Sequence, residues 1–191
     1  MRPLPRVHAF TDQTILSAPD FGIRAAAIAR VQRHGRTLRM VALARPPEAA
    51  VFVSGRADIA AATGAHGVQL GGGDLTPADA RRVLLHGWIG RSVHSPEEAR
   101  MAVEEGADFL VVGSIYETAS HPGRAAVGTG LLREAARLGR PVIAIGGITP
   151  ERVPELKAAG AYGVAAIRAL WQADDPAAAT LSMLAPWVEN T

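Results

Sequence analysis

The chain has 191 residues, 48% of them apolar, with 20 cationic side chains against 18 acidic ones and no cysteine. That length supports one well-filled core and is short for two, so residues 1–191 are expected to form a single domain. The net charge of +2 is carried almost entirely by arginine, without a basic run or basic helical face, which argues against nucleic acid, and no apolar stretch nears the roughly 20 residues that cross a bilayer.

In chain order, short apolar or β-branched runs predict strands at VHAFT (7–11), RMVALA (39–44), VFV (51–53), GVQL (67–70), WIGRSV (88–93), FLVVG (109–113), PVIAIG (141–146) and YGVAAI (162–167). Between them lie segments of helical period. Thr76-Pro77, Ser95-Pro96 and Thr149-Pro150 each place a capping hydroxyl before a proline at the first helical position. The "GA" pair recurs in GAHGVQL, GADFLVV and GAYGVAA, one helix-to-strand connection used three times.

Strands that are apolar throughout are covered on both faces, which predicts a parallel sheet with crossover helices. Eight such units predict a TIM (β/α)8 barrel, compact because 191 residues fall below the usual length. One unit is irregular: only RPPEAA separates the second and third predicted strands, too little for a parallel crossover, so the helix there is expected to be missing or reduced and that flank exposed or covered by another subunit. MRPLPRVHAF has no apolar signal core, and together with the absence of cysteine this makes the cytoplasm the expected location. Lys157 is the only lysine and falls on an outer helix, which disfavours Schiff-base chemistry at the strand ends.

In such a barrel the chemistry belongs to the loops after the carboxyl ends of the strands. Those loops carry Ser54, Gly55 and Arg56 after the third strand, Asp74 after the fourth, and Ser92 and His94 near the end of the fifth. Ser114, Tyr116, Glu117, Thr118, Ser120 and His121 follow the sixth, Gly146-Gly147 the seventh, and Arg168 the eighth. The glycine pair frees backbone N–H groups for an oxyanion, the following helix N-terminus adds its dipole, and with Thr118 and Ser120 this predicts a phosphate site. His121 and Glu117 are the candidate acid–base groups; His8, alternating with Val7 and Ala9, is a further candidate imidazole. His94 is expected to satisfy a neighbouring loop carbonyl, and Arg56 with Asp58 to form a salt bridge.

VFVSGRADIAAATGAHGVQLGGGDLTP, IGRSVHSPEEARMAVEEGADFLVVGSIYET and PVIAIGGITPERVPELKAAGAYGVA together resemble the thiamine-phosphate synthase/TenI superfamily, most closely its TenI branch. The resemblance implies a barrel enzyme of thiamine biosynthesis that binds a small phosphorylated thiazole, usually as a homodimer, with Ser92, Thr118, Ser120, Gly146 and Gly147 at ligand-binding positions. Synthases of this superfamily typically carry Asn-Asp-Arg after the third strand, where the Asp helps to hold magnesium; Ser54, Gly55 and Arg56 stand there, leaving Asp74 as the remaining metal carboxylate. The glutamine and lysine that usually grip pyrophosphate after the second strand are also missing from RMVALARPP. The loop after the sixth strand usually reads Thr-x-Thr/Ser-Lys and here ends in His121, and removing a metal ligand and two lysines from a step that releases pyrophosphate costs on the order of 10³-fold or more in rate.

The resemblance therefore implies a thiazole tautomerase, an isomerase that moves a proton on a thiazole carboxylate phosphate with no metal or other cofactor. TenI proteins often carry a histidine where this chain has Ser114, so the proton transfer is expected from His121 or Glu117, with His8 in reserve. The alternatives are a magnesium-dependent thiamine-phosphate synthase using Asp74, and a non-catalytic protein that binds thiazole or thiamine phosphate.

Overall fold

A computed structural model describes residues 4–10, 15, 17–20, 23–25, 27–28, 50–118 and 125–188. Seven parallel strands form one sheet: β1 (Val7–Ala9), β2 (Phe52–Ser54), β3 (Gly67–Leu70), β4 (Trp88–Val93), β5 (Phe109–Val112), β6 (Val142–Ile145) and β7 (Gly163–Ala166). Their order is β1-β7-β6-β5-β4-β3-β2, with Val7 opposite Val164 at one end and Phe52 opposite Gly67 at the other. Helices α1 (Ala57–Thr63), α2 (Pro77–Val83), α3 (Pro96–Glu104), α4 (Gly128–Ala136) and α5 (Val153–Ala158) fill the crossovers from β2 to β7, and α6 (Arg168–Trp171) and α7 (Pro176–Leu184) follow β7. The sequence predicts these seven strands and their parallel pairing. The predicted second strand, RMVALA, and nearly all of the RPPEAA link with its missing helix lie outside the described residues, so the described sheet has seven strands where eight were expected.

Alternation along each strand divides the core in two. Leu110 and Val112 of β5, with Val142, Ala144 and Val164, turn outward onto Leu131, Leu132, Leu156 and Met183 of the helices. Phe109 and Val111 turn inward with Ile143 and Ala165. A strand buried on both faces has no polar side to show, which is why these runs are apolar throughout. The inner volume is filled by rings set against glycines: a Cβ on Gly90 would lie 2.2 Å from Cζ of Phe109, and one on Gly67 would lie 2.6 Å from Cε1 of Phe52. The sheet is curled, because side chains from its opposite ends meet: the His8 and Phe52 rings have centroids 5.9 Å apart, and both lie within 6.0 Å of Phe109.

Two of the three predicted caps form as expected. Thr76 accepts the Asp79 N–H and Ser95 the Glu98 N–H, each at 3.1 Å. Thr149 makes no side-chain cap, and Pro150–Arg152 is a 3₁₀ turn with the α-helix beginning only at Val153. Pro154 is the cause: in a helix running from Pro150 it would lack the N–H for the Pro150 carbonyl and its ring would clash there, so the helix restarts with Pro154 in its first turn. Among the described residues no helix is long and apolar enough to cross a membrane.

Candidate active site

The carboxyl ends of the strands form a rim whose order follows the sheet: Arg168 after β7, Gly146-Gly147 after β6, Ser114 to Thr118 after β5, Ser92 and His94 at β4, Asp74 after β3, and Ser54-Gly55 after β2. Ser120 and His121 lie outside the described residues. Arg168 is exposed at the start of α6.

The loop after β5 sits directly on the glycine pair. A Cβ on Gly146 would fall 2.5 Å from the Ser114 Cβ, and one on Gly147 would fall 2.7 Å from the Glu117 carbonyl oxygen and 2.8 Å from the Tyr116 Cβ. Both glycines have positive φ, +100° and +64°, a conformation that side chains rarely adopt. Three successive carbonyls are taken on that side: Ile145 accepts from the Ile115 N–H at 2.8 Å, Gly146 from the Tyr116 N–H at 3.1 Å, and Gly147 from the Arg152 guanidinium. In a trans peptide the N–H points opposite to the C=O, so this arrangement turns the next three amides away from the β5 loop. Neither Gly147 nor Ile148 gives its N–H to another backbone group among the described residues. Amides aligned in this way favour an anion. The expected helix dipole contributes less, since α5 begins six residues beyond Gly147 and the effect fades within one turn.

Arg152, which no sequence pattern singled out, is central here. Its guanidinium also stacks over the Tyr116 ring at 4.3 Å, and the Tyr116 hydroxyl donates to Glu155 of α5 at 2.8 Å. The β5 loop is thereby tied to the turn after β6, with Glu117 exposed beside Gly147 and Thr118 half-buried.

His8 is separated from this group. Its Nε2 pairs with the Pro5 carbonyl at 2.9 Å, before β1 begins, and its ring lies tilted against Phe52 and Phe109, the first residues of their strands. It therefore lies in the amino-end layer of the interior, where burial lowers its pKa from 6.5 to about 4 against the opposing Pro5 hydrogen bond. Its half-buried ring packs against Phe52 and Phe109. The structure does not bring it to the candidate catalytic group of Ser114 and Glu117.

Other expectations are met in the geometry. His94 Nδ1 bonds the Gly113 carbonyl and its N–H donates to Glu98. Arg56 and Asp58 pair at 2.5 Å on the surface. Lys157 donates to the Pro186 carbonyl from α5, on the helical layer.

Asp74 occupies the far side of the rim. Its Oδ2 accepts the Gly71 N–H at 2.6 Å, and a Cβ on Gly55 would fall 2.9 Å from its Oδ1. Arg91 on β4 holds the same loop through the Gly71 carbonyl at 2.7 Å and the Leu75 carbonyl at 3.2 Å. From β6 to β3 is three strand steps of about 4.8 Å, so the amide nest and this carboxylate stand on the order of 14 Å apart along the sheet. Between them, buried Gln69 donates from Nε2 to Ser92 Oγ at 3.0 Å and to the Leu70 carbonyl at 3.3 Å, while its Oε1 is buried with no partner among the described residues. An unsatisfied buried acceptor costs about 1–3 kcal/mol. Gln69 is the one polar side chain of the apolar run GVQL, a sequence signal for a residue with a polar task inside the sheet.

Among the described residues no three His, Cys, Asp or Glu side chains are grouped to hold a metal ion. A divalent cation at Asp74 would share that carboxylate with oxygens of a bound phosphate ester, the arrangement magnesium commonly takes.

Comparison with known proteins identifies the scaffold. The profile of the thiamine monophosphate synthase family, TMP-TENI, matches residues 21–170. A thiamine-phosphate synthase of Thermus thermophilus is 47% identical over 140 residues, 72% of this chain and 68% of that protein. That of Mycolicibacterium gilvum is 44% identical over 138 residues, 71% of this chain and 58% of that protein. A solved structure of thiamine phosphate pyrophosphorylase from Pyrococcus furiosus superposes with a TM-score of 0.77 at 28% identity, covering 95% of this chain and 94% of that one.

Proposed function

The chain belongs to the thiamine monophosphate synthase (TMP-TENI) family, and from that premise we propose that it is a thiamine-phosphate synthase, joining an aminopyrimidine pyrophosphate to a thiazole phosphate with release of pyrophosphate. The observation that carries this reading is the 44–47% identity to proteins bearing that name. It reverses the order expected from the sequence, in which a TenI-type tautomerase led and the synthase was the alternative.

The geometry supports a two-ended substrate mouth. The nest at Gly146, Gly147 and Ile148, with Thr118 and Arg168 on the same rim, holds the phosphate of the thiazole, and Ser120 is a further candidate for that group. Ser92 and Ser114 face the space between the two ends. Asp74 is the residue that would hold magnesium, which when bound neutralises charge on the departing pyrophosphate. Its Oδ1 faces Gly55, and as a single carboxylate it would hold the ion only together with the bound substrate. On this reading the curled sheet belongs to a closed TIM barrel, and the protein works as a cytoplasmic homodimer.

The tautomerase reading has one feature in its favour. Ser54 and Gly55 replace the carboxylate-bearing pair of synthases, while Ser114 and Glu117 lie against the phosphate nest, where proton transfer on a thiazole carboxylate would occur, with His121 as a further candidate base. Assaying both reactions side by side separates the readings. The synthase gives thiamine phosphate from the two substrates; the tautomerase interconverts thiazole carboxylate tautomers without magnesium and makes no thiamine phosphate.

A further inference from the structure

The side-chain amide of Gln69 is held in one orientation that leaves its oxygen without a partner among the described residues. Its nitrogen faces the Leu70 carbonyl at 3.3 Å, and a carbonyl only accepts, so the nitrogen must lie on that side and donate also to Ser92 Oγ at 3.0 Å. The oxygen is then forced over Gly90, where a Cβ would lie 2.2 Å from it, with the edge of Phe109 alongside and no donor within reach among the described residues. Gln69 is only 7% exposed, so water does not freely solvate that oxygen. A leucine or methionine at this place would fill the same space without a buried orphan. What glutamine adds is the polarity of one contact: because Ser92 Oγ accepts from Gln69, its own O–H is turned away and becomes a donor.

We propose that Gln69 is a positioning residue, which fixes the Ser92 hydroxyl as a hydrogen-bond donor toward an acceptor atom of the substrate, and that its unsatisfied Oε1 is the stability cost of doing so. The inference rests on the synthase reading only in placing substrate against Ser92. Substrate atoms of the matching class are a heterocyclic ring nitrogen or a phosphate oxygen, and the two substrates, tested singly, distinguish which molecule brings it.

The test is a double-mutant cycle on the whole chain, using Gln69→Leu, Ser92→Ala and the pair, read by calorimetric binding of aminopyrimidine pyrophosphate and of thiazole phosphate, with thermal unfolding in parallel. Ser92→Ala is expected to weaken one of the two ligands about tenfold, and Gln69→Leu the same ligand by about fivefold. The pair is expected to bind no more weakly than Ser92→Ala alone, because the effect of Gln69 passes through Ser92. Gln69→Leu is expected to unfold at or above the wild-type temperature, since it removes the orphaned acceptor, and a merely structural role would lower it. Additive losses, or wild-type binding by Gln69→Leu, overturn the inference alone. A wild-type protein that binds neither substrate overturns it together with the synthase reading.

Discussion

The imidazole of His8 and the ring of Phe52 lie with centroids 5.9 Å apart, although β1 and β2 stand at opposite ends of the strand order. A flat seven-stranded parallel sheet would separate its outer strands by about 29 Å. The contact is therefore a direct measure of curl, and it turns every carboxyl end onto one mouth. The chemistry of the rim depends on that curvature, since the amide nest and Asp74 come from strands three steps apart.

The burial that produces this contact has a pH signature. The pKa of His8 falls to about 4 in the folded protein from 6.5, so between those values the unfolded chain binds more protons and stability rises with pH. Acidification from pH 6.5 to 4.5 is expected to cost on the order of 2 kcal/mol through this residue, with only about 0.4 kcal/mol more arising above pH 6.5. In thermal unfolding, a His8→Leu protein should lose less of its transition temperature between pH 7 and 4.5 than the wild type; equal losses would refute the assignment.

Gly146 and Gly130 are expected to respond oppositely to alanine. At Gly146 a Cβ meets Ser114 at 2.5 Å on a backbone with φ +100°, so Gly146→Ala should destabilise by about 1–3 kcal/mol and displace the β5 loop from the nest. Gly130 lies in α4 with nothing within 4 Å of its Cβ position, and its substitution should stabilise by about 0.5–1 kcal/mol. Denaturant unfolding compares the two, and thiazole phosphate affinity should fall only in the first.

Strand positions and the parallel order were legible in the sequence, because a doubly buried strand must be apolar; the packing of Ser114 on Gly146 was not, since it depends on the path of the β5 loop across the neighbouring strand. The place of His8 was not: alternation gives the face of a strand but not the depth along it, and Pro5 decides the depth. The late start of α5 required Pro154 to be weighed against Thr149-Pro150. Arg152 and Gln69 act through one carbonyl and one hydroxyl brought close by the tertiary fold, which no spacing rule encodes. Ser54-Gly55 pointed the sequence toward the tautomerase, whereas the likeness of about 140 residues to proteins named thiamine-phosphate synthase supports the synthase, and no local motif carries that weight.

Arg152 offers a separate test of the nest. Arg152→Met removes the donor to the Gly147 carbonyl and the stack on Tyr116, freeing that peptide to rotate. Thiazole phosphate should bind about tenfold more weakly, while the unphosphorylated thiazole alcohol should bind as it does to the wild type. An equal loss for both ligands would mean that Arg152 supports the fold in general and not the phosphate site.

Magnesium-dependent product formation tests most directly the proposal that Asp74 and the amide nest together form a synthase site. Purified protein is given aminopyrimidine pyrophosphate and thiazole phosphate across a magnesium titration, wild type beside Asp74→Asn, and thiamine phosphate is measured by chromatography. The expected result is product that requires magnesium in the wild type and falls at least about 100-fold in the variant. No thiamine phosphate from the wild type at excess magnesium, with the thiazole carboxylate tautomers interconverted by the same preparation, would contradict the account.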